Sequence, residues 1–193
     1  MSEVRTGLLR AAVEEIGENG LAKASLRAIA RRCGVSHQAS AHHFADRAGL
    51  FTALAADGFE RMLARTRDDV EAARASGQDP VAAMGVAYLR YADAEPTTFD
   101  VMSRAELLHP EDDQLVTARL AMWDYTLDIV RTAQRERGWG AGVPAEKLNM
   151  ACWSTVHGLA LIRRDLLATL PTLHAIDAED VVRLVTAAIE STP

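Results

Sequence analysis

Apolar residues recur every three or four positions along most of the chain, and this period predicts amphipathic α-helices. Residues 3–18 show it first, with glutamates opposite an apolar side formed by Leu8, Leu9, Ala12, Val13 and Ile16. Asn19-Gly20 ends this helix. Because no segment shows the two-residue alternation of a strand, the sequence predicts an all-α fold.

Residues 25–44 contain two shorter helical patterns separated by a sharp turn. Gly34 stands where a helix ends in a left-handed residue, a conformation that costs little without a Cβ. Ser36 can cap the following helix, from His37 to His43, by accepting a backbone N–H. The apolar side of the first helix is formed by Leu26, Ile29 and Ala30.

The second of these helices is polar. We expect it to expose His37, Gln38, Ser40 and His42, whose side chains are short enough to lie close to base edges. Helix, glycine turn and capped polar helix form the helix-turn-helix arrangement, whose second helix enters the major groove of DNA. The spacing alone also fits an αα-hairpin without a DNA-binding function, since many such hairpins carry a glycine at the bend.

Six further helices complete the pattern. Asp46 can cap the fourth, over residues 47–75, which is apolar near its start and polar after Ala64. The others are predicted from Asp79-Pro80 to Pro96 and over residues 97–108, 113–137, 144–170 and 178–191. We therefore predict a three-helix helix-turn-helix head over residues 1–46 and a helical-bundle body over residues 47–193, with the fourth helix connecting them.

Charge is distributed unevenly along the chain. The net charge is −6, but residues 1–50 hold seven Lys and Arg against five Asp and Glu, a balance of +2. A basic head on an acidic body directs phosphate attraction to one end of the molecule. A cluster of charges can also be only a solvated surface, so the asymmetry supports DNA binding without establishing it.

Cysteine content and hydropathy indicate the compartment. Cys33 and Cys152 are too few for a disulfide framework, and each is interpreted as a buried small hydrophobe, with a redox sensor as the alternative. No apolar run approaches the ~20 residues that span a bilayer, and the first helix is not preceded by a secretory signal. We expect a cytoplasmic protein without a membrane partner.

Residues 8–63 resemble the N-terminal domain of the TetR family of transcriptional regulators. The matching residues are Ala11-Ala12, Gly20, Ser25-Leu26-Arg27, Ile29-Ala30, Gly34-Val35-Ser36, Ala39, His43-Phe44, Arg47, Leu50-Phe51 and Ala53-Leu54. The body resembles the branch of this family whose C-terminal domain carries a Trp-x-x-x-His-Gly signature, here Trp153, His157 and Gly158.

The resemblance implies an all-helical homodimer. Each chain would present a DNA-binding head and a six-helix body for ligand binding and dimerisation, whose last two helices, about 144–170 and 178–191, pair with those of a second copy. The sequence departs from relatives in the second helix of the turn motif, where Ala41 replaces the usual tyrosine. This departure bears on the operator sequence and on affinity, and not on the fold.

The resemblance also assigns roles within the head. Ser25, Arg27 and Arg47 would hold phosphates and fix the register on the duplex, and Gln38 can pair bidentately with adenine. Protonation of the exposed histidines would strengthen binding below pH ~6.5. For Ser36 and Ser40, the alternative is that they only cap the helix or lie at the surface. The candidate DNA-binding residues are Ser25, Arg27, Ser36, His37, Gln38, Ala39, Ser40, His42, His43 and Arg47.

Aromatic and methionine side chains of the body are candidates for a small-molecule site. They combine apolar surface with a few polar atoms, as expected for a mostly apolar ligand. The candidates are Met84, Tyr88, Tyr91, Phe99, Met102, Met122, Trp123, Tyr125, Trp153 and His157. Each alone has core packing as the alternative. Gly158, inside a helix, indicates a close approach at the dimer interface or at the pocket.

We therefore expect a repressor that a small ligand releases from its double-stranded DNA operator. Ligand bound between the fourth and seventh helices would tilt the fourth and change the head separation from the ~34–36 Å that matches one DNA turn.

Other classes of protein find less support. The sequence lacks a glycine-rich phosphate loop, a nucleophile elbow and a His-Glu-x-x-His pattern, so we expect no enzyme and no cofactor. His109 in its acidic loop is interpreted as solvated rather than as a metal ligand. An adaptor whose head binds protein, and a helical enzyme, are the remaining alternatives.

Overall fold

The computed structural model describes residues 3–165 and 176–190. Its helices are α1 (Glu3–Asn19), α2 (Leu26–Arg32), α3 (His37–His43), α4 (Arg47–Ala75), α5 (Pro80–Ala94), α6 (Pro96–Met102), α7 (Asp113–Arg137), α8 (Ala145–Asp165) and α9 (Ala178–Glu190). A short 3₁₀ helix covers Ala105–Leu107. The described residues contain no strand, so the prediction of an all-α fold is confirmed. Within them, no helix is both long enough and apolar enough to cross a bilayer.

The helices begin at the residues whose side chains can cap them. The hydroxyl of Ser25 accepts the Ala28 N–H at 3.2 Å, and the Asp46 carboxylate accepts the Gly49 N–H at 2.6 Å. Asp79 and Asp177 cap α5 and α9 in the same way. These contacts satisfy backbone donors that have no partner within the helix, which explains why the sequence predicted these starts correctly.

The sixth predicted helix is shorter in the structure. The segment 97–108 divides into α6 and the 3₁₀ helix, because the chain turns tightly at Ser103, whose hydroxyl donates to the Phe99 carbonyl at 2.8 Å. The eighth helix is described as far as Asp165, and the predicted continuation to residue 170 lies outside the described residues.

The described residues form two compact units. The first contains the chain up to Glu60 together with Glu95–Leu120, and the second contains Arg61–Ala94 together with the chain from Ala121 onward. Helices α4 and α7 contribute to both units. This grouping by contacts differs from the division between residues 46 and 47, which stays a prediction about the functional domains.

In the first unit, α1, α2 and α3 contact one another. Large apolar side chains of these helices are buried completely, among them Leu8 and Ile29. Burial of one such side chain stabilises the fold by roughly 1.5–3 kcal/mol. The three-helix head therefore has a core of its own, which holds α3 in a fixed orientation.

The core of the second unit is built around Trp139. This indole is fully buried, and its Nε1 donates to the Thr186 carbonyl at 3.0 Å. The apolar cluster around it includes Val70, Val81, Met84, Leu127, Val130 and Leu148. The sequence pattern does not predict this core position, because Trp139 lies in an irregular segment between α7 and α8, where no helical period marks it as buried.

Candidate nucleic-acid interface

Helix α3 is short, capped and one-sided. The Ser36 hydroxyl accepts the Ala39 N–H at 3.0 Å, and Gly34 has the φ of +75° that the preceding turn requires. We define the exposed face of α3 by the four residues that solvent reaches freely, His37, Gln38, Ala41 and His42. This face presents two imidazoles, one amide and one methyl group to a partner.

The expectation that Ser40 is exposed is wrong. Its side chain is fully buried, and its hydroxyl donates to the His37 carbonyl at 2.8 Å. The residue lies on the side of α3 that belongs to the head, where α3 contacts both α1 and α2. A buried hydroxyl that already donates within the helix cannot reach a base edge.

The sides of α3 are bounded by partly buried residues. Ala39 and His43 are half-buried, and the His43 ring lies edge-on to the ring of His42 with centroids 5.6 Å apart. Phe44, which follows the helix, is buried beneath the Arg5 guanidinium. Neither half-buried residue therefore belongs to the exposed face.

Arg47, the first residue of α4, has its side chain packed against the head. Its Nη2 donates to the Leu21 carbonyl at 2.5 Å, its guanidinium lies 4.8 Å from the centroid of the Phe51 ring, and its Nε is buried. The side chain thus ties the loop between α1 and α2 to the start of α4. This geometry does not support the predicted phosphate contact of Arg47.

Basic side chains of α2 have two different environments. Arg32 donates from Nε to Glu15 at 3.0 Å and forms a second ion pair with Glu18, so its charge is compensated within the head. These bonds hold the pKa of Glu18 below its ordinary value. Arg27 and Arg31 are exposed and lie one turn apart on α2. Arg27 was predicted to contact phosphate and Arg31 was not. The spacing of four residues places both on the same face of α2 and could have identified Arg31.

Three of the predicted ligand residues meet in the second unit. The Tyr88 hydroxyl lies 2.8 Å from Nδ1 of His157, and the Trp153 ring lies 6.0 Å from the His157 ring, measured between centroids. A phenol hydroxyl can donate or accept, and the direction of its hydrogen bond to the imidazole is set by the tautomer of His157.

Burial fixes the protonation of this cluster. It raises the pKa of Tyr88 well above the ordinary range, and it lowers the pKa of His157, with a smaller contribution from the charge of Arg164. Both side chains are therefore neutral near pH 7. The cluster offers directional hydrogen bonds within a largely apolar setting.

The remaining ligand candidates are packed within the two units. Met84 belongs to the core around Trp139, and Trp123 and Tyr125 pack against that core. The others are buried or half-buried residues at Tyr91, Phe99, Met102 and Met122. Phe99 and Met102 belong to the first unit, so the ten candidates do not form one cluster within a single compact unit.

Gly158 has no close neighbour in the described chain. A Cβ placed on it would meet no atom within 4 Å. The close approach that the glycine indicates is therefore not made by the described part of this chain. Large apolar side chains are exposed on the same helix and on α9, namely Met150, Trp153, Ile162 and Leu184.

A groove that sequence analysis did not predict lies in the second unit. It has a volume of about 560 Å³ and is lined by residues of α4, α5 and α9. Its floor is largely alanine, and charged side chains such as Asp69, Asp79, Arg90 and Arg183 border it. None of the ten ligand candidates lines this groove.

Family models match both parts of the chain. Residues 8–54 match the model of bacterial regulatory proteins of the tetR family, and residues 81–189 match the model of the tetracyclin repressor-like C-terminal domain.

Individual relatives agree with these matches. The HTH-type transcriptional regulator UidR of Escherichia coli K12 is 40% identical over 67 residues, which are 35% of this chain and 34% of the relative. The match thus spans about a third of that regulator's length. A protein of unknown function from Rhodococcus sp. RHA1 is 31% identical, with a TM-score of 0.77 over 98% of this chain and 95% of the other. The regulator PfmR from Thermus thermophilus shares the fold at 21% identity, with a TM-score of 0.68 over 94% and 96% of the two chains.

Proposed function

Because this chain belongs to the TetR family of bacterial regulatory proteins, we propose that it is a DNA-binding transcriptional regulator. The observation that carries the proposal is the exposed face of α3, a polar surface on a helix whose other side is locked into the head. In this proposal α3 enters the major groove, and Ser25, Arg27 and Arg31 contact phosphates beside it. The protein acts in the cytoplasm and catalyses no reaction.

The proposed functional unit is a homodimer. The exposed apolar residues of α8 and α9 and the open space beside Gly158 support pairing of these two helices with those of a second copy. Solvation of such side chains is unfavourable by about 25 cal/mol per Å² of apolar surface, so a second copy that covers them stabilises the assembly. Two copies present two α3 helices to two successive major grooves.

A small, mostly apolar effector is proposed to bind in the second unit. Tyr88, Trp153 and His157 supply hydrogen bonds there, and two of these residues belong to the Trp-His-Gly signature. A ligand that prefers a conformation with a different separation of the two α3 helices shifts the population toward it and releases the operator. The protein is thus proposed to act as a repressor.

A mobility-shift assay tests the proposal. Purified protein is mixed with the promoter DNA beside its own gene over a series of salt concentrations. A DNA-binding regulator shifts this duplex, and the shift weakens steeply with salt because counterions are released from phosphates. A protein that shifts no duplex at any salt concentration, or that sediments as a single chain, contradicts the proposal.

A further inference from the structure

The exposed face of α3 has a centre and two edges. Successive residues of an α-helix are turned by about 100°, so the four exposed residues span an arc of about 140°. His37 and His42 stand at the ends of this arc. Gln38 and Ala41 each lie about 30° from its middle. The centre of the surface is therefore an amide beside a methyl group, and the imidazoles flank them.

Each central group has a specific counterpart in the major groove. A glutamine amide pairs bidentately with N6 and N7 of adenine, and an alanine methyl packs against the C5 methyl of thymine. Both side chains are exposed to solvent, so a DNA duplex can reach them. An exposed serine hydroxyl could bond to any base. Ser40, however, is fully buried, and its hydroxyl donates to the His37 carbonyl.

Their separation determines how far apart the contacted bases lie. Gln38 and Ala41 are three residues apart, which is about 4.5 Å along the helix axis. Base pairs are stacked about 3.4 Å apart. The two groups therefore reach neighbouring base pairs rather than the same one.

We propose that Gln38 and Ala41 determine the sequence specificity of the chain, and that each operator half-site contains an adenine and a thymine in neighbouring base pairs, read by the Gln38 amide and the Ala41 methyl respectively. The inference rests on the proposed DNA-binding function and names the bases that this function requires. The small size of Ala41 is part of the specificity, because it lets the helix approach the thymine closely.

Base analogues test the proposal without altering the protein. Duplexes are first selected from a random library with the full-length wild-type chain, and the best-bound half-site is then synthesised with single analogues. Replacing the contacted adenine by 7-deazaadenine removes N7 and is expected to weaken binding at least about fivefold. Replacing the contacted thymine by deoxyuridine removes only the methyl group and is expected to weaken binding about fourfold.

Variants of the protein assign each loss to a residue. Gln38→Ala loses the bonds to both N6 and N7, so it is expected to bind the unmodified duplex at least as weakly as the wild type binds the 7-deazaadenine duplex, and to show no further loss with that analogue. Ala41→Gly is expected to be insensitive to deoxyuridine, with its thermal unfolding recorded because glycine weakens a helix. Gln78→Ala, an exposed glutamine of the second unit, serves as the control and retains both sensitivities.

The outcomes separate this inference from the function on which it rests. A library from which no duplex is enriched contradicts the DNA-binding function itself. If duplexes are enriched but the wild type binds the 7-deazaadenine or the deoxyuridine duplex as tightly as the unmodified one, the corresponding base assignment is overturned while DNA binding stands.

Discussion

The two candidate sites differ in how their side chains relate to the core. On α3 the residues that would read DNA are exposed, and the buried side of the same helix carries Ser40. In the second unit several effector candidates are themselves core residues, since Met84, Tyr88 and Tyr91 are buried, while Trp153 is exposed. The exposed face of α3 is thus supported by a core, and the effector site is partly built from core residues.

This difference determines what a substitution can report. A change on the exposed face of α3 removes no core contact, so unless it introduces a glycine it should alter binding while the free energy of unfolding stays within about 0.5 kcal/mol. A change among the effector candidates removes packing and hydrogen bonds together. Binding and stability are therefore separable in the head and coupled in the second unit.

The largest expected effect comes from Trp139→Ala. The substitution empties a fully buried site and removes the hydrogen bond to the Thr186 carbonyl, so the free energy of unfolding should fall by about 3–5 kcal/mol. Urea denaturation at one fixed protein concentration measures it, with Gln38→Ala as the contrast in the head. Equal losses for the two variants would contradict the distinction between the exposed face of α3 and the core of the second unit.

A smaller loss is expected from Tyr88→Phe. The variant keeps the buried ring but removes the hydroxyl that bonds to His157, which should cost about 1–3 kcal/mol. Tyr125→Phe, at a half-buried tyrosine that packs against the core around Trp139, is the matched control and should lie near the wild type. If Tyr88→Phe unfolds like the wild type, the cluster contributes no stability and the coupling proposed for this unit is wrong.

The features that sequence predicted correctly act over short distances along the chain. Ser25 and Ser36 cap helices through N–H groups three residues away, and Gly34 adopts its positive φ within a single turn. Side-chain type and spacing suffice for such features because both partners stand close together in the sequence. They were enough to position α3 and to identify its cap.

The features that sequence missed depend on contacts between distant residues. The residue type of Arg47 suggests a phosphate contact, but its guanidinium donates to the carbonyl of Leu21, 26 residues earlier. Trp139 depends on Thr186, which follows it by 47 residues. Ser40 is polar, and only the packing of α3 against α1 and α2 shows that it is buried. Periodicity carries no information about these partners.

Neighbouring arginines of α2 sharpen the comparison within the head. Arg31→Ala should weaken binding to all duplexes alike and reduce the slope of log K against log salt by about 0.9, because one phosphate contact is lost. Arg32→Ala should leave that slope unchanged and lower the thermal midpoint, since its partners Glu15 and Glu18 belong to the head. Fluorescence anisotropy over a salt series measures the slopes. An equal change of slope in both variants would contradict the assignment.

The smallest effects are expected from pH. The pKa of His157 is lowered from 6.5 by burial, so the unfolded chain binds this proton more readily. The corresponding stability is complete above pH 6.5 and is lost as the pH falls from there toward the pKa of the folded state. Denaturation of the wild type and of His157→Gln at several pH values should converge under acidic conditions if this is correct.

The central claim is that the exposed face of α3 reads DNA, and Gln38→Ala tests it most directly against Gln78→Ala. Both substitutions shorten an exposed glutamine, and both variants are titrated by fluorescence anisotropy against one selected duplex. The account predicts that Gln38→Ala weakens binding at least about fivefold with unchanged unfolding, while Gln78→Ala binds like the wild type. Wild-type affinity in Gln38→Ala, or an equal loss in both variants, would contradict it.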